Sequence, residues 1–442
     1  MFGTSGIRGP VGRDVTADTA LSVGRALPSE GYRSVVVGRD PRESGRMLVD
    51  ALAAGIRECG GDVVDLGVAS TPTVARSVER HGADAGVAVT ASHNPPPDNG
   101  LKLWTPSGQA FDAARREGIE RRIDSGEYDL AAWDGVGERT TDDAADAAHA
   151  AALREAVEGP IDLDVVVDVG NGAGGLTADV LDDLGCHVTT VNARPDGSFP
   201  GRPSEPTAET LTTLRATVAN TDADVGVAHD GDADRMMAVD ATGAFVPGDV
   251  LLAVFATRAV EPGDRVAAPV DTSLSVDDAL EERGATVART AVGDVFVAER
   301  AREPDVTFGG EPSGAWIWPE ETLCPDGPLA ACRLVELVDE EGPLADLTGA
   351  IETYPIRRES VAVDAGTAVV RTVERLARER HGADRVDTLD GVRIDHGDGW
   401  TLVRASGTQP LVRLTAEARD PERAATLLDE ARGLLAEARA ER

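Results

Sequence analysis

Apolar and polar positions along the chain alternate between two rhythms. Short β-branched runs read as buried strands, and longer stretches with apolar residues every three or four positions read as amphipathic helices. In a first unit, Ser34–Gly38 predicts a strand, Met47–Glu58 a helix, and Asp62–Leu66 and Ala85–Val89 two further strands. A second unit repeats the order with strand Val165–Asp168, a helix over Leu176–Leu184, and strands His187–Val191 and Asp224–Ala228. A third has Arg265–Val270, a helical stretch Ser275–Arg283, then Ala285–Arg289 and Val306–Gly309. From Arg357 onward the pattern changes to strands at Ser360–Val363, Gly391–Asp395, Trp400–Arg404 and Leu411–Thr415, closed by a helix from Pro421 to about Ala440.

This succession predicts an α/β protein: three related α/β domains with mixed sheets and a C-terminal α+β domain. The expected boundaries are 1–148, 149–246, 247–354 and 355–442, with linkers at Thr140–Ala152, Gly243–Asp249 and Thr353–Glu359. In each of the three units a polar loop follows a late strand at its carboxyl end. Binding sites of α/β sheets gather there, so the three loops are expected to converge on one cleft.

Composition narrows the functional classes. The 442 residues hold 43 basic and 78 acidic side chains, a formal net charge of −35. Such an excess suits a surface kept soluble in a high-salt cytoplasm and opposes nucleic-acid binding, for which no basic stripe is present. An anionic substrate would need a local cluster of arginines and helix N-termini. Cys59, Cys186, Cys324 and Cys332 form no close-set pair, which argues for a reducing compartment and against a zinc site. No leader-like or membrane-length apolar segment is seen, so a cytoplasmic location is expected.

Four polar segments carry candidate chemistry. Asp230-Gly231-Asp232-Ala233-Asp234-Arg235 sets three carboxylates at alternate positions, a pattern suited to a hard divalent cation. A calcium loop of the EF-hand type is excluded by Arg235 at its sixth position and Ala241 at its twelfth. A solvated acidic turn is the plain alternative. Ser92 follows a strand end in Thr90-Ala91-Ser92-His93-Asn94-Pro95 and lacks the flanking glycines of an acyl-transfer nucleophile; opposite a metal loop it suits phosphoryl transfer. In isolation it would be a turn or capping serine.

Gly310-Glu311-Pro312-Ser313-Gly314 pairs a carboxylate with a hydroxyl, as contacts to vicinal sugar hydroxyls require. Arg404-Ala405-Ser406-Gly407-Thr408-Gln409-Pro410, with Arg413, has the parts of a phosphate-binding loop or of a plain polar turn. The sole lysine, Lys102, lies in the same loop as Ser92, and a lysine near other cations can exchange a proton where an arginine cannot. Arg8 sits on the glycine-rich segment Gly3–Gly9. Gly170-Asn171-Gly172-Ala173-Gly174-Gly175 fits a dinucleotide fingerprint in letter, but no acidic residue ends the next strand near Val191-Asn192, so a tight turn packing helix on sheet is the better account.

Taken together, Thr90–Pro95, Asp230–Arg235, Gly310–Gly314 and Arg404–Pro410 resemble, in order and spacing, the four signature loops of the α-D-phosphohexomutase superfamily. The resemblance implies four domains around a central cleft. It implies Ser92 as a phosphoserine and Asp230, Asp232 and Asp234 as Mg²⁺ ligands, with a phosphate oxygen on Ser92 completing the site. It implies Glu311 and Ser313 on the sugar, and Arg404, Ser406, Gly407 and Thr408 on the phosphate that is not transferred. Arg8, His93 and Lys102 match positions for proton transfer and charge stabilisation, and Arg235 follows the metal loop.

The implied reaction is a two-step relay through a sugar bisphosphate, which also serves as activator. The implied partner is a small phosphosugar, with the protein a monomer or homodimer. Two departures stand out: Ala315 replaces a histidine common in the family, and Gln409 a glutamate. The run Glu311-Pro312-Ser313-Gly314 into Trp316-Ile317-Trp318 is similar to the archaeal phosphoglucosamine mutase group, favouring glucosamine 6-phosphate to glucosamine 1-phosphate. A phosphoglucomutase, phosphomannomutase or phosphopentomutase, or a non-catalytic phosphosugar-binding protein, are the alternatives.

Overall fold

A computed structural model describes residues 2–3, 6–363, 365–406 and 410–441. Its strands form four sheets. The first contains β1 (Ile7–Pro10), β2 (Ser34–Arg39), β3 (Asp62–Val68), β4 (Ala85–Val89), β5 (Asp98–Trp104) and β6 (Arg139–Thr141) in the order β1-β5-β4-β2-β3-β6. The second contains β7 (Asp164–Asp168), β8 (His187–Val191), β9 (Val225–His229) and β10 (Met236–Asp240), ordered β10-β9-β7-β8. The third contains β11 (Arg265–Pro269), β12 (Thr286–Thr290), β13 (Val306–Gly310) and β14 (Trp316–Ile317), ordered β12-β11-β13-β14.

These three sheets share one topology. A parallel trio is followed by an antiparallel strand: β5 on β4, β10 on β9 and β14 on β13. The connection out of the last parallel strand is in every case the loop that carries candidate chemistry, so the expected repeat is a structural one. The fourth sheet, β15 (Ile356–Ala362), β16 (Val386–Asp387), β17 (Val392–Asp395), β18 (Gly399–Ala405) and β19 (Leu411–Ala418), is antiparallel throughout in the order β15-β19-β18-β17-β16.

Central strands read as continuous Val/Ala runs because helices cover both faces. The helix Leu48 belongs to, Gly45–Glu58, buries Leu48, Val49, Leu52 and Ile56 against the helix Ala17–Ser29. Local stops obey the sequence: Asp112 caps the helix Ala113–Ser125, and Gly126 ends it at φ 65°, a left-handed conformation that glycine adopts without strain. The closing helix Pro421–Ala440 starts after Asp420, whose side chain accepts from Glu422 N and Arg423 N.

Three large apolar cores result. One fills the first unit from Ile7 to Ile119, one runs from Ala150 to Leu344 through both the second and third sheets, and one lies within Val363–Ala438. The acidic, alanine-rich stretch expected to be a linker instead contains β6 and the helix Ala145–Ala156. Alanine is the best helix former, and this helix buries Ala145, His149, Ala150 and Leu153. Part of the Thr353–Glu359 stretch is likewise strand, as the start of β15. Lys102 lies on β5, paired with Ala88 of β4, and not in a loop. No helix among the described residues is long and apolar enough to cross a membrane. All four cysteines are buried and free.

Candidate active site

Ser92 lies just beyond β4, buried, with φ 53°. Its amide donates to Thr90 Oγ1 at 2.8 Å, and its hydroxyl donates to Asp230 Oδ2 at 2.6 Å. His93 Nδ1 is 3.4 Å from the same hydroxyl. The Ser92 loop of the first unit therefore meets the acidic loop of the second.

Asp230, Asp232 and Asp234 are all buried, and one carboxylate oxygen from each falls within 4.8 Å of the others. Ala233, between Asp232 and Asp234, has a left-handed backbone at φ 54°. Burial and then the neighbouring Asp234 and Asp232 carboxylates push the Asp230 pKa well up; burial and Asp232 raise Asp234. At Asp232 burial acts in the same direction, but the Lys102 ammonium outweighs it and the pKa is lowered. The Asp232 and Asp234 Oδ1 atoms are buried without a hydrogen-bond partner. Buried carboxylate oxygens left unpaired are costly, and three converging hard-oxygen donors of this kind fit a Mg²⁺ ion.

Lys102 reaches the cluster from β5: its ammonium donates to Asp232 Oδ2 at 2.8 Å and also to Asp234. Burial alone would lower its pKa, but these two carboxylates dominate and raise it, so here Lys102 is a held cation. His93 is its opposite. Burial, followed by Arg235, Arg8 and Lys102, drives the imidazole pKa down to about 2 and keeps it neutral. Arg8 enters on β1, paired with Gly100 of β5, and its Nε is buried without a hydrogen-bond partner.

Glu311 follows β13. Gly293 N donates to its Oε1 at 2.7 Å and the Ser313 hydroxyl to its Oε2 at 3.2 Å, so the two groups expected on the sugar hold one another. Burial, then the nearby Asp294, raises the Glu311 pKa to about 7. Arg235 and Ala315 form an antiparallel bridge, and Met236 N donates to Gly314 O at 2.9 Å, joining the acidic loop to the Glu311 loop.

On the fourth sheet, Arg404 and Arg413 are direct cross-strand partners and so share a face. Arg404 Nη1 donates to Asp390 Oδ2 at 2.8 Å, and the same oxygen accepts Val292 N at 3.0 Å. Val292 and Gly293 thus link the arginine of the C-terminal unit to Glu311 through consecutive amides. Ser406 N donates to Leu411 O at 2.9 Å. Gly407, Thr408 and Gln409 lie outside the described residues.

Two supports escaped the sequence reading. Thr71 opens the helix Thr71–Arg80, and its amide and hydroxyl donate to Asp232 O at 2.8 Å and Asp232 Oδ2 at 2.5 Å. Only its place after a strand, as the first residue of a helix capped by Ser70, hinted at a role. The glycine-rich turn is the other: a Cβ on Gly172 would lie 2.7 Å from Gly231 O, and one on Gly174 2.9 Å from Ala233 Cβ. Its glycines let it pack directly beneath the acidic loop, which gives the dinucleotide-like pattern a different purpose.

Comparison with known proteins matches this architecture unit by unit. Models of the phosphoglucomutase/phosphomannomutase alpha/beta/alpha domains I, II and III match residues 1–129, 145–243 and 247–354, and the model of the C-terminal domain matches 360–434. A probable phosphoglucosamine mutase of Methanopyrus kandleri is 47% identical over 437 residues, covering 97% of this chain and 96% of the relative. Another from Methanothermobacter thermautotrophicus is 45% identical, covering 98% and 97%. A crystal structure of a phosphoglucomutase/phosphomannomutase family protein from Burkholderia thailandensis superposes with a TM-score of 0.88 at 30% identity, covering 99% and 98%.

Proposed function

This chain belongs to the phosphoglucomutase/phosphomannomutase family and is an intramolecular phosphotransferase, and we propose that it interconverts glucosamine 6-phosphate and glucosamine 1-phosphate through a phosphorylated Ser92. The observation that carries this reading is the Ser92 hydroxyl, 2.6 Å from Asp230, one of the three clustered carboxylates. The choice of amino sugar rests on the names of the relatives, both probable phosphoglucosamine mutases.

In the proposed cycle the phosphoryl group on Ser92 passes to the free hydroxyl of the bound sugar phosphate, giving a sugar bisphosphate. The bisphosphate turns over in the cleft and returns its original phosphoryl group to Ser92. A free sugar bisphosphate would then serve as activator by phosphorylating resting enzyme. Asp230, Asp232 and Asp234 would hold Mg²⁺, which when bound neutralises charge on the oxygens around the transferring phosphorus.

The chain's own groups supply the rest. Lys102, as an ammonium, gives a proton to the Ser92 oxygen as the phosphoryl group leaves it and takes up the proton released by the attacking sugar hydroxyl, with the roles reversed in the return half. His93, neutral, lies beside the Ser92 hydroxyl, and Arg8 and Arg235 add positive charge to a chain of strong negative sign. Glu311 and Ser313 exchange their mutual bond for the sugar hydroxyls. Arg404, Ser406 and Arg413, with Gly407 and Thr408, hold the phosphate that stays. Holding either end of the sugar in one site makes positioning the larger share of catalysis. In this reading the units 1–148, 149–246, 247–354 and 355–442 each contribute one loop.

Ser92→Ala tests it: mutase turnover is lost while phosphosugar binding survives, and near-normal turnover would overturn the mechanism. Intact mass should show a fraction of chains heavier by one phosphate, absent from the variant. Relative kcat/KM on glucosamine, glucose, mannose and ribose phosphates, with a bisphosphate activator, decides the substrate. A preference for glucose phosphates would replace the amino sugar.

A further inference from the structure

Ser92 adopts a left-handed backbone, φ 53°, which a non-glycine residue holds only where its surroundings over-determine it. Its carbonyl shows how. Arg42, fully buried, donates from Nη2 to Ser92 O at 2.8 Å and Asn94 O at 2.7 Å. From Nη1 it donates to Pro95 O at 2.7 Å and Asp98 O at 2.9 Å. Its fifth donor, Nε, is paired with Asp40 Oδ2 at 2.8 Å, and the same carboxylate oxygen accepts the Thr90 hydroxyl whose oxygen receives Ser92 N. One guanidinium therefore sets the path of the whole nucleophile loop.

The second unit grips the same carbonyl from the other side. Ser204 Oγ, buried, donates to Ser92 O at 2.8 Å. Ser204 is placed by Arg202, which donates to Ser204 O at 3.2 Å and His229 O at 2.6 Å while its Nε pairs with Asp168 Oδ2 at 2.8 Å. Asp168 and Asp40 stand in equivalent positions, at and just past the ends of β7 and β2, so each unit has a buried Asp–Arg pair. The first fixes the carbonyl of Ser92, the second the carbonyl immediately before Asp230. A Cβ on Gly231 would lie 2.8 Å from both Ser204 Oγ and Ser92 O, so the acidic loop closes directly over the junction.

We propose that Arg42 and Ser204 are positioning residues for phosphoryl transfer: held from two sides, the Ser92 carbonyl cannot rotate, and the Ser92 hydroxyl stays aimed at the acidic cluster. Both side chains are buried. Both act through Ser92, and the inference rests on the reading of Ser92 as the phosphoryl carrier. Arginine is required at position 42 because four carbonyls and a carboxylate must be met in one plane by five donors, a geometry that an ammonium does not provide.

Arg42→Lys leaves buried carbonyls without donors and endangers the fold, so Ser204→Ala carries the test. Expected for Ser204→Ala is a fall of about tenfold in kcat, with KM for the phosphosugar within about twofold and slower phosphorylation of Ser92 by sugar bisphosphate, followed by intact mass. Thermal melting in the same buffer gives the folded fraction, to which kcat is normalised. An unchanged kcat per folded molecule, or a loss expressed only in KM, overturns the positioning role. Ser92→Ala in parallel separates the two claims: a dead Ser92→Ala with a fully active Ser204→Ala rejects the positioning alone, whereas an active Ser92→Ala rejects the reading beneath it.

Discussion

Lys102 Nζ and Asp232 Oδ2 stand 2.8 Å apart although 130 residues separate them, and the ammonium bridges from Asp232 to Asp234. The sole lysine is thus the counterion of the carboxylates proposed to hold the metal. Lys102→Arg preserves the charge but not the compact donor or its proton exchange, and should lower kcat by about 100-fold or more with KM changed far less. Steady-state kinetics decides; equal losses in binding and turnover would assign Lys102 to substrate affinity.

The unpartnered Asp232 and Asp234 Oδ1 atoms predict that a divalent cation stabilises the folded chain. Mg²⁺ at about 100 times its dissociation constant should add about 2.7 kcal/mol, read as a rise in Tm. Asp232→Asn should abolish most of that rise, and chelation should abolish turnover in the wild type. A Tm indifferent to Mg²⁺ would remove the metal from the proposed cycle.

Glu311 predicts a pH dependence. Its folded pKa is about 7, against the ordinary value of 4.5, because of burial and then Asp294. Between those values the folded state keeps a proton that the unfolded state has lost, so stability contributed by this residue falls as pH rises through the window from 4.5 to 7. The full swing is about 3 kcal/mol. Glu311→Gln, neutral throughout, should gain in Tm relative to wild type as pH rises across that range; a constant difference would mean that Glu311 titrates normally.

Glu417 of the fourth sheet is fully buried where it meets the third unit, accepting Ser273 Oγ at 2.6 Å, Leu274 N at 2.8 Å and Trp400 Nε1 at 2.7 Å. Ser273 caps the helix Leu274–Glu282, so the carboxylate also lies at a helix N-terminus. Glu417→Gln should cost about 2 kcal/mol in stability and, by loosening the unit that carries Arg404, raise KM more than it lowers kcat. Calorimetry and kinetics together test this, and an unchanged KM would show that the docking is independent of substrate.

Net charge of −35 predicts a fifth effect. Added salt shortens the range of surface repulsion from about 10 Å at 0.1 M to about 3 Å at 1 M, so Tm should rise with KCl. A falling Tm would mean that the many surface Arg–carboxylate pairs, also screened, contribute more than the repulsion costs.

Much of this molecule is written in local pattern. Valine and alanine runs locate the parallel strands, and the four loops stand at their ends in order. The closing helix begins at Pro421, where the sequence places it. What local pattern does not carry is which distant groups meet. Thr71 reaches Asp232 across 161 residues and Ser204 reaches Ser92 across 112, and neither residue type is distinctive by itself. The helix Ala145–Ala156 was hidden for another reason: its acidic, alanine-rich composition looks like a spacer, and its buried face shows only once the neighbouring units supply a surface. Lys102 shares a short polar stretch with Ser92 in the sequence, yet β5 begins directly after the prolines at Asp98 and carries it as a strand residue.

The apolar core running from Ala150 to Leu344 through two sheets, beside a C-terminal core contained within Val363–Ala438, sets where the gene tolerates recombination. Relatives should exchange the last unit as a cassette provided its contacts with the third unit are matched: Glu417 with Ser273 and Leu274, Asp390 with Val292, Arg419 with Asp278, and Trp400 and Leu402 packed on Val270. The middle two units have no such seam in their packing, and must be inherited together.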